Sequence, residues 1–245
     1  MIHNFQQKSY SFSHRGQRHR NEDFYIADDQ NGIYILTDGM GGYEGGEVAG
    51  RIAANSCHEY LKSRLEGPVY PDDLIDSIRA RLKSVTQRFP EYASMGTTLC
   101  CVYIREEYIN VLHIGDSKII IVSNTIYETT DHTYAQHLID HDFIRADEYR
   151  RHPMRHILTR CLTANNQEKY KADYQKIPLQ NGCNTIFICS DGVLETFSSE
   201  EMIHMIIAEG DIQKLIQTVE QQALKYSHDN ATAIIVKFHS SNATP

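Results

Sequence analysis

Three apolar runs in this 245-residue chain end in an aspartate beside a small residue: IYILTDG at Asp38, NVLHIGDS at Asp116 and IFICSDG at Asp191. A fourth acid, Asp229 in HDNATAIIV, stands just before another apolar run begins. Taken singly, each reads as a turn residue, because the Asp side chain bonds nearby backbone and tolerates unusual dihedrals. Taken together, core strands running into DG or DS would deliver several carboxylates to one edge of the sheets. Such carboxylates repel one another strongly unless cations compensate their charge. Hard oxygen donors with no accompanying Cys pair favour Mg²⁺ or Mn²⁺ over a structural zinc. The stretch RHRNED, Arg18 to Asp23, adds guanidinium groups near an acidic pair. In isolation it is a solvated charged turn; beside carboxylate-bound metals, an arginine there can grip a phosphoryl group with two parallel hydrogen bonds. The combination points to phosphoryl chemistry.

The elements that must position these residues follow from periodicity. Residues 9–13 and 24–37 read as short strands interrupted by polar turns, with IYILT buried on both faces. A helix is expected from about Glu47 to Leu65 with Val48, Ile52 and Leu61 inward. A second follows Pro71, carried by Leu74, Ile78, Leu82, Val85 and Phe89. TTLCCVYI, YINVLHI and KIIIVS suggest an antiparallel meander. From Asp131 to about Lys176 the pattern is mixed, rich in His and Arg and without a clean strand, which suggests an irregular helical insertion. TIFICS is a buried strand, SSEE at 198–201 a capping box opening a helix, and 211–226 a further helix. ATAIIVKF forms the final strand and HSSNATP a frayed tail. No internal repeat or low-complexity linker divides the chain, so a single domain of sheets covered by helices is expected.

Bulk properties narrow the function. Apolar content of 41% and charged content of 23% are those of an ordinary soluble globular protein. A formal charge of −8 speaks against nonspecific nucleic-acid binding, which uses a basic face. No segment approaches the roughly 20 apolar residues of a membrane span, and the N-terminus lacks a secretory signal, so a cytoplasmic location is expected. Cys57, Cys100, Cys101, Cys161, Cys183 and Cys189 show no CxxC spacing and read as buried reduced thiols.

GQRHRNED, ILTDGMGGYEGGEVA, MGTTL, HIGDSK, TDHTYAQHL, HPMRHILTRCL, FICSDGVLE and HDNATAIIV, in this order over nearly the whole chain, resemble the PP2C (PPM) family of metal-dependent serine/threonine protein phosphatases in its compact bacterial form. The resemblance implies an α+β fold, a four-layer αββα sandwich of two central antiparallel sheets flanked by helix pairs. The catalytic domain would cover 1–240, with a flap at about 131–176 and a disordered tail at 241–245. It implies two bridging Mn²⁺ or Mg²⁺ ions and a weaker third. Asp38 matches the carboxylate that bridges the pair and Gly39 the residue whose carbonyl joins one ion. Asp191 and Asp229 match direct ligands, Glu22 an acid holding waters of the second ion, and Asp23 an acid just behind the ligands. Asp116 matches a ligand of the third ion, and Arg18 the phosphate-gripping arginine. The implied reaction is hydrolysis of phosphoserine and phosphothreonine by in-line attack of a metal-bridging hydroxide, without a covalent phosphoenzyme. Glycine at position 39 would let the chain turn sharply after Asp38 and bring its carbonyl to a metal. The implied partners are phosphoproteins, substrates of a cognate Ser/Thr kinase, with the enzyme a monomer.

Departures from the family pattern are Lys118 where Arg is usual, Glu195 where many members carry Asp, and Met40 where eukaryotic relatives have a proposed proton donor. Glu195 bears on the third site, because its extra methylene changes the reach of the carboxylate. Two His pairs, His137/His141 and His152/His156, share the spacing of a helix face but lack a third zinc ligand. GMGGYEGG lacks both the GK[ST] ending and the GxGxxG spacing of nucleotide loops. Two other readings stay open at this level: a catalytically inactive scaffold that binds a phosphoprotein, and a phosphatase dedicated to one regulator or small molecule.

Overall fold

In the computed structural model, which describes residues 7–41, 45–105, 107–164 and 171–240, the apolar runs pair into two antiparallel sheets. The first half of the chain gives β1 (Lys8–His14), β2 (Asp23–Asp28), β3 (Ile33–Met40), α1 (Gly45–Lys62), α2 (Pro71–Arg88), β4 (Gly96–Thr97), β5 (Leu99–Arg105), β6 (Tyr108–Ile114), β7 (Lys118–Val122) and β8 (Ile126–Glu128). The second half adds α3 (Tyr134–Asp140), β9 (Leu162–Thr163), β10 (Asp173–Pro178), β11 (Gly182–Cys189), α4 (Asp191–Leu194), α5 (Ser199–Ala208), α6 (Ile212–Tyr226) and β12 (Ala231–Ser240). One sheet has the order β1-β12-β11-β7-β8; the other runs β10-β6-β5-β3-β4-β9, with β2 also paired to β3.

The central strands are apolar without interruption because both of their faces are covered. Along β5, Leu99, Cys101 and Tyr103 pack toward α1 and α2, while Cys100, Val102 and Ile104 pack toward the opposite sheet. In β12, Ala231, Ala233 and Ile235 meet α5 and α6, and Ile234, Val236 and Phe238 fill the space between the sheets. Three apolar layers thus separate four structural layers, the αββα arrangement implied by the resemblance. Antiparallel register brings the acids to one edge. Cys189 lies opposite Ala233, so the end of β11 meets the start of β12. Leu36 lies opposite Cys100 and Ile114 opposite Leu99, which puts the ends of β3 and β6 together.

Several expectations change. The 131–176 segment contains α3, two 3₁₀ turns and also two strands, of which β10 pairs with β6 along its full length. β10 is an edge strand, in which only Tyr174 and Ile177 pack inward, so its sequence DYQKIP carries no continuous apolar signal. The inward face of α1 is built from Ala49, Ala53, Ala54, Cys57 and Leu61, with Val48 and Ile52 on its flank; small residues there let the helix approach the sheet closely. α2 ends at Arg88, leaving Phe89 exposed. The final strand continues through Ser240, whose hydroxyl accepts a hydrogen bond from Asn184 Nδ2 at 3.1 Å; residues 241–245 lie outside the described residues. All six cysteines are free, but Cys161 is only half-buried and Cys183 is exposed, the latter because it precedes the apolar part of β11. The capping box at Ser198 and Glu201 is present.

Candidate active site

Asp38 sits inside β3 with its backbone fully engaged. Its N–H donates to Thr98 Oγ1 at 2.9 Å, and its carbonyl accepts from Thr98 N at 2.9 Å and Thr97 Oγ1 at 3.0 Å. The main chain is therefore fixed, and the carboxylate receives no hydrogen bond from any described residue. Asp23 stands directly opposite Asp38 in the β2–β3 register. The expected sharp turn after Asp38 is absent, since β3 runs through Gly39 to Met40, and the left-handed backbone comes at Gly41, with φ 131°. Glycine at 39 is required for close approach instead: a Cβ there would lie 2.1 Å from Gly46 O and 2.7 Å from Glu22 O. Gly46 is constrained by the same contact, because its Cβ would meet Glu22 Oε1 at 2.6 Å. Gly42 lies outside the described residues.

Asp191 opens the short helix α4, next to Gly192, where a Cβ would stand 2.0 Å from Asn230 O. Asp229 precedes β12 and is gripped by Arg18, which donates Nε to Oδ1 at 2.8 Å and Nη2 to Oδ2 at 2.6 Å. The fork expected to take a phosphoryl group thus already has the right geometry for two parallel bonds to an anion. Asn230 was not singled out from the sequence, yet it ties the arginine loop to β12. Its Oδ1 accepts from Glu22 N at 2.8 Å, and its Nδ2 donates to Arg15 O at 2.9 Å and Arg20 O at 2.8 Å. The only sequence signal was its place directly after Asp229 in HDNA. Glu195 accepts from His228 N at 2.8 Å and Ser227 Oγ at 3.2 Å, bracing the loop that ends at Asp229.

Asp116 is buried in the β6–β7 turn. Two residues on, Lys118 is buried and donates to Thr129 O at 2.8 Å and to Asp131, which also accepts from Tyr149 Oη at 2.6 Å. From the flap, His156 Nδ1 comes within 3.6 Å of Asp191 Oδ2. The His pairs show no zinc geometry: His141 Nδ1 bonds the His137 carbonyl at 2.8 Å and His152 Nδ1 accepts from Met154 N at 3.2 Å.

The acids feel one another. Burial raises the Asp38 carboxyl well above its ordinary range, and Asp23, Asp191, Asp116 and Asp229 add to that rise. Asp116 is raised by burial, then by Asp191 and Asp131. Asp23 is pushed up to about 7 by burial, against the pull of hydroxyls on Ser190 and Thr232, the former at 2.7 Å. Its Oδ1 is buried and without a hydrogen-bond partner among the described residues. Glu22 is raised by burial, against the opposing pull of the Gly46 backbone and Arg18. Among the nearby cations Arg18 is committed to Asp229 and Lys118 to Asp131, which leaves a set of electrostatically coupled carboxylates short of positive charge. That donor set fits hard divalent ions such as Mn²⁺ or Mg²⁺.

The protein phosphatase 2C family model matches residues 12–230. The serine/threonine phosphatase stp of Listeria welshimeri is 26% identical over 233 residues, covering 90% of this chain and 91% of that protein. The Mycobacterium tuberculosis serine/threonine phosphatase PstP/Ppp superimposes with a TM-score of 0.86 at 24% identity, covering 96% of this chain and 99% of that one. A PstP catalytic domain in complex with two manganese ions superimposes at 0.80 with 24% identity, over 96% and 99% of the two chains. With the family model spanning most of its length and the sandwich matching in space, the chain belongs to the protein phosphatase 2C family of serine/threonine phosphatases.

Proposed function

We propose that the protein hydrolyses phosphoserine and phosphothreonine in proteins, using Mn²⁺ or Mg²⁺ held by Asp38, Gly39, Asp191 and Asp229, with Glu22 holding ion-bound waters. The observation that carries this reading is the gathering of Asp116, Asp191 and Asp229 around Asp38 at one sheet edge, each raising the Asp38 carboxyl. When bound, a pair of divalent ions supplies an activated water as nucleophile and neutralises charge on the phosphoryl oxygens. Asp38 fixes the geometry through its fully bonded main chain. Asp23 stands opposite Asp38 on the neighbouring strand, close enough that its charge raises the Asp38 carboxyl. Arg18 holds the phosphoryl group by exchanging its Asp229 contact for substrate oxygens. Asp116 contributes, with Asp191, to a weaker third ion, and Glu195 supports that region through the Ser227 hydroxyl and the His228 N–H rather than as a ligand. No cysteine acts as nucleophile; Cys100 and Cys189 are buried with thiols raised by burial.

The catalytic unit is residues 1–240, acting as a cytoplasmic monomer on phosphoproteins made by a cognate Ser/Thr kinase. No helix among the described residues is long and apolar enough to cross a membrane. The test is hydrolysis of a phosphothreonine peptide with Mn²⁺, with Mg²⁺ and with chelator. Metal-dependent phosphate release is expected. Metal binding without turnover would favour an inactive scaffold that binds phosphoproteins, and turnover of small phosphate esters but no phosphopeptide would favour a dedicated small-molecule phosphatase.

A further inference from the structure

His132 is tied to Gly115 at both of that residue's polar backbone groups. Its N–H donates to Gly115 O at 2.8 Å, and its Nδ1 accepts from Gly115 N at 3.0 Å. A backbone N–H can only donate, so Nδ1 carries the lone pair and the proton of the neutral ring sits on Nε2. That proton faces Asp173 Oδ2 at 3.0 Å, and Asp173 Oδ1 accepts from Arg160 Nη1 at 2.8 Å. His132 is buried, whereas Asp173 lies half-exposed at the start of edge strand β10. The neighbouring ring of His113, 4.8 Å away, donates Nε2–H to Ser117 O at 2.9 Å.

His113, His132 and Asp173 offer potential ligand atoms within 4.8 Å of one another. A cation at that place is opposed by the tautomer, because Nε2 of His132 is protonated. It is opposed again by Arg160, whose Nη1 lies 3.2 Å from the same nitrogen. The geometry suits positioning instead. Gly115 has φ +113°, a conformation other residues avoid, and a Cβ there would meet Thr98 Cγ2 at 2.5 Å. Thr98 in turn bonds Asp38 N and lies 2.8 Å from Ser117 Oγ. An unusual backbone held this tightly, directly before Asp116, is a mount for that carboxylate.

We propose that His132, oriented by Asp173, is a positioning residue that fixes the Gly115 peptide and thereby sets the affinity of the weaker metal site to which Asp116 contributes. The inference rests on Asp116 being a metal ligand, as read above. It places control of that site in an edge strand and in Arg160 of the flap.

The test uses the full chain and two readouts besides activity: the Mn²⁺ binding isotherm, and amide hydrogen exchange of Gly115 in chelated protein. In His132→Asn the amide oxygen replaces Nδ1 as acceptor for Gly115 but the Asp173 contact is lost; His132→Gln keeps the reach to Asp173 and loses that acceptor. We expect His132→Gln to weaken the last ion by about tenfold, the scale of one hydrogen bond, and to speed Gly115 exchange by a similar factor. His132→Asn should stay within about twofold on both. Equal behaviour of the two variants, or unchanged Gly115 exchange in His132→Gln, would overturn the proposal. If the His132 variants do not fold, Asp173→Ala, half-exposed on the edge strand, should weaken the last ion in the same direction, because the longer imidazole, unlike the short Asn side chain at 132, then has no partner to hold its ring against Gly115 N; an unchanged isotherm there overturns the proposal too. Asp116→Asn separates the two levels. If it leaves the isotherm unaltered, the underlying ligand reading fails; if it loses the last ion while His132→Gln does not, only the positioning role fails.

Discussion

Asn230 shows how much one side chain can carry without touching substrate. It is 5% exposed and satisfies Glu22 N, Arg15 O and Arg20 O, so Asn230→Ala leaves three backbone groups short of partners. A loss of about 3 kcal/mol is expected in denaturant unfolding, together with weaker phosphopeptide binding, because the loop that carries Arg18 is released. Arg18 itself is 62% exposed and holds Asp229 through a two-pronged contact. Arg18→Lys keeps the charge but removes the fork, so a KM for phosphopeptide raised by about tenfold is expected with the fold intact by circular dichroism. An unchanged KM would place the phosphoryl group elsewhere.

At the scale of elements, the site is made by backbone segments brought unusually close. Gly192 and Gly16 both pack on the chain at 229–230, where an added Cβ would lie 2.0 Å from Asn230 O and Asp229 O respectively. Backbone cannot swing aside like a side chain, so Gly192→Ala should destabilise the protein by about 1–3 kcal/mol in thermal or denaturant unfolding, and a neutral result would mean α4 shifts freely. These elements were legible in the sequence to different degrees. The strands delivering Asp38, Asp116 and Asp191 stood out because both of their faces are buried, which makes the apolar runs continuous. β10 did not, since an edge strand with a solvated face has only Tyr174 and Ile177 to mark it. The glycines after Asp38 signalled a special backbone but not its cause; the need at Gly39 and Gly46 is mutual approach with Glu22 rather than a turn. The roles of Asn230 and His132 depend on partners far away in sequence, and no local pattern reports such contacts.

Over the whole molecule, the gathered acids set stability against charge. Burial pushes the Asp23 carboxyl up to about 7 in the folded chain, from an ordinary value of about 4. Because the folded state binds that carboxyl's proton more tightly than the unfolded chain, its stabilising share is fully present below about pH 4. It is lost as pH rises through about 7. Asp38 and Asp116, also raised, act in the same sense. In chelated protein the melting temperature should therefore fall across this window; Asp23→Asn should flatten the fall, and Mn²⁺ should reverse it through binding to the folded state. A melting temperature that rises with pH over the same range would contradict this electrostatic picture. The central claim, that one carboxylate cluster both holds the ions and drives hydrolysis, is tested most directly by counting bound Mn²⁺ and measuring phosphothreonine-peptide turnover side by side in the native protein, Asp38→Asn and Asp191→Asn. Binding of at least about two ions by the native protein is expected, with both variants losing Mn²⁺ affinity and turnover together, each by about a hundredfold or more. Turnover that survives in either variant, or in chelator, would contradict the account.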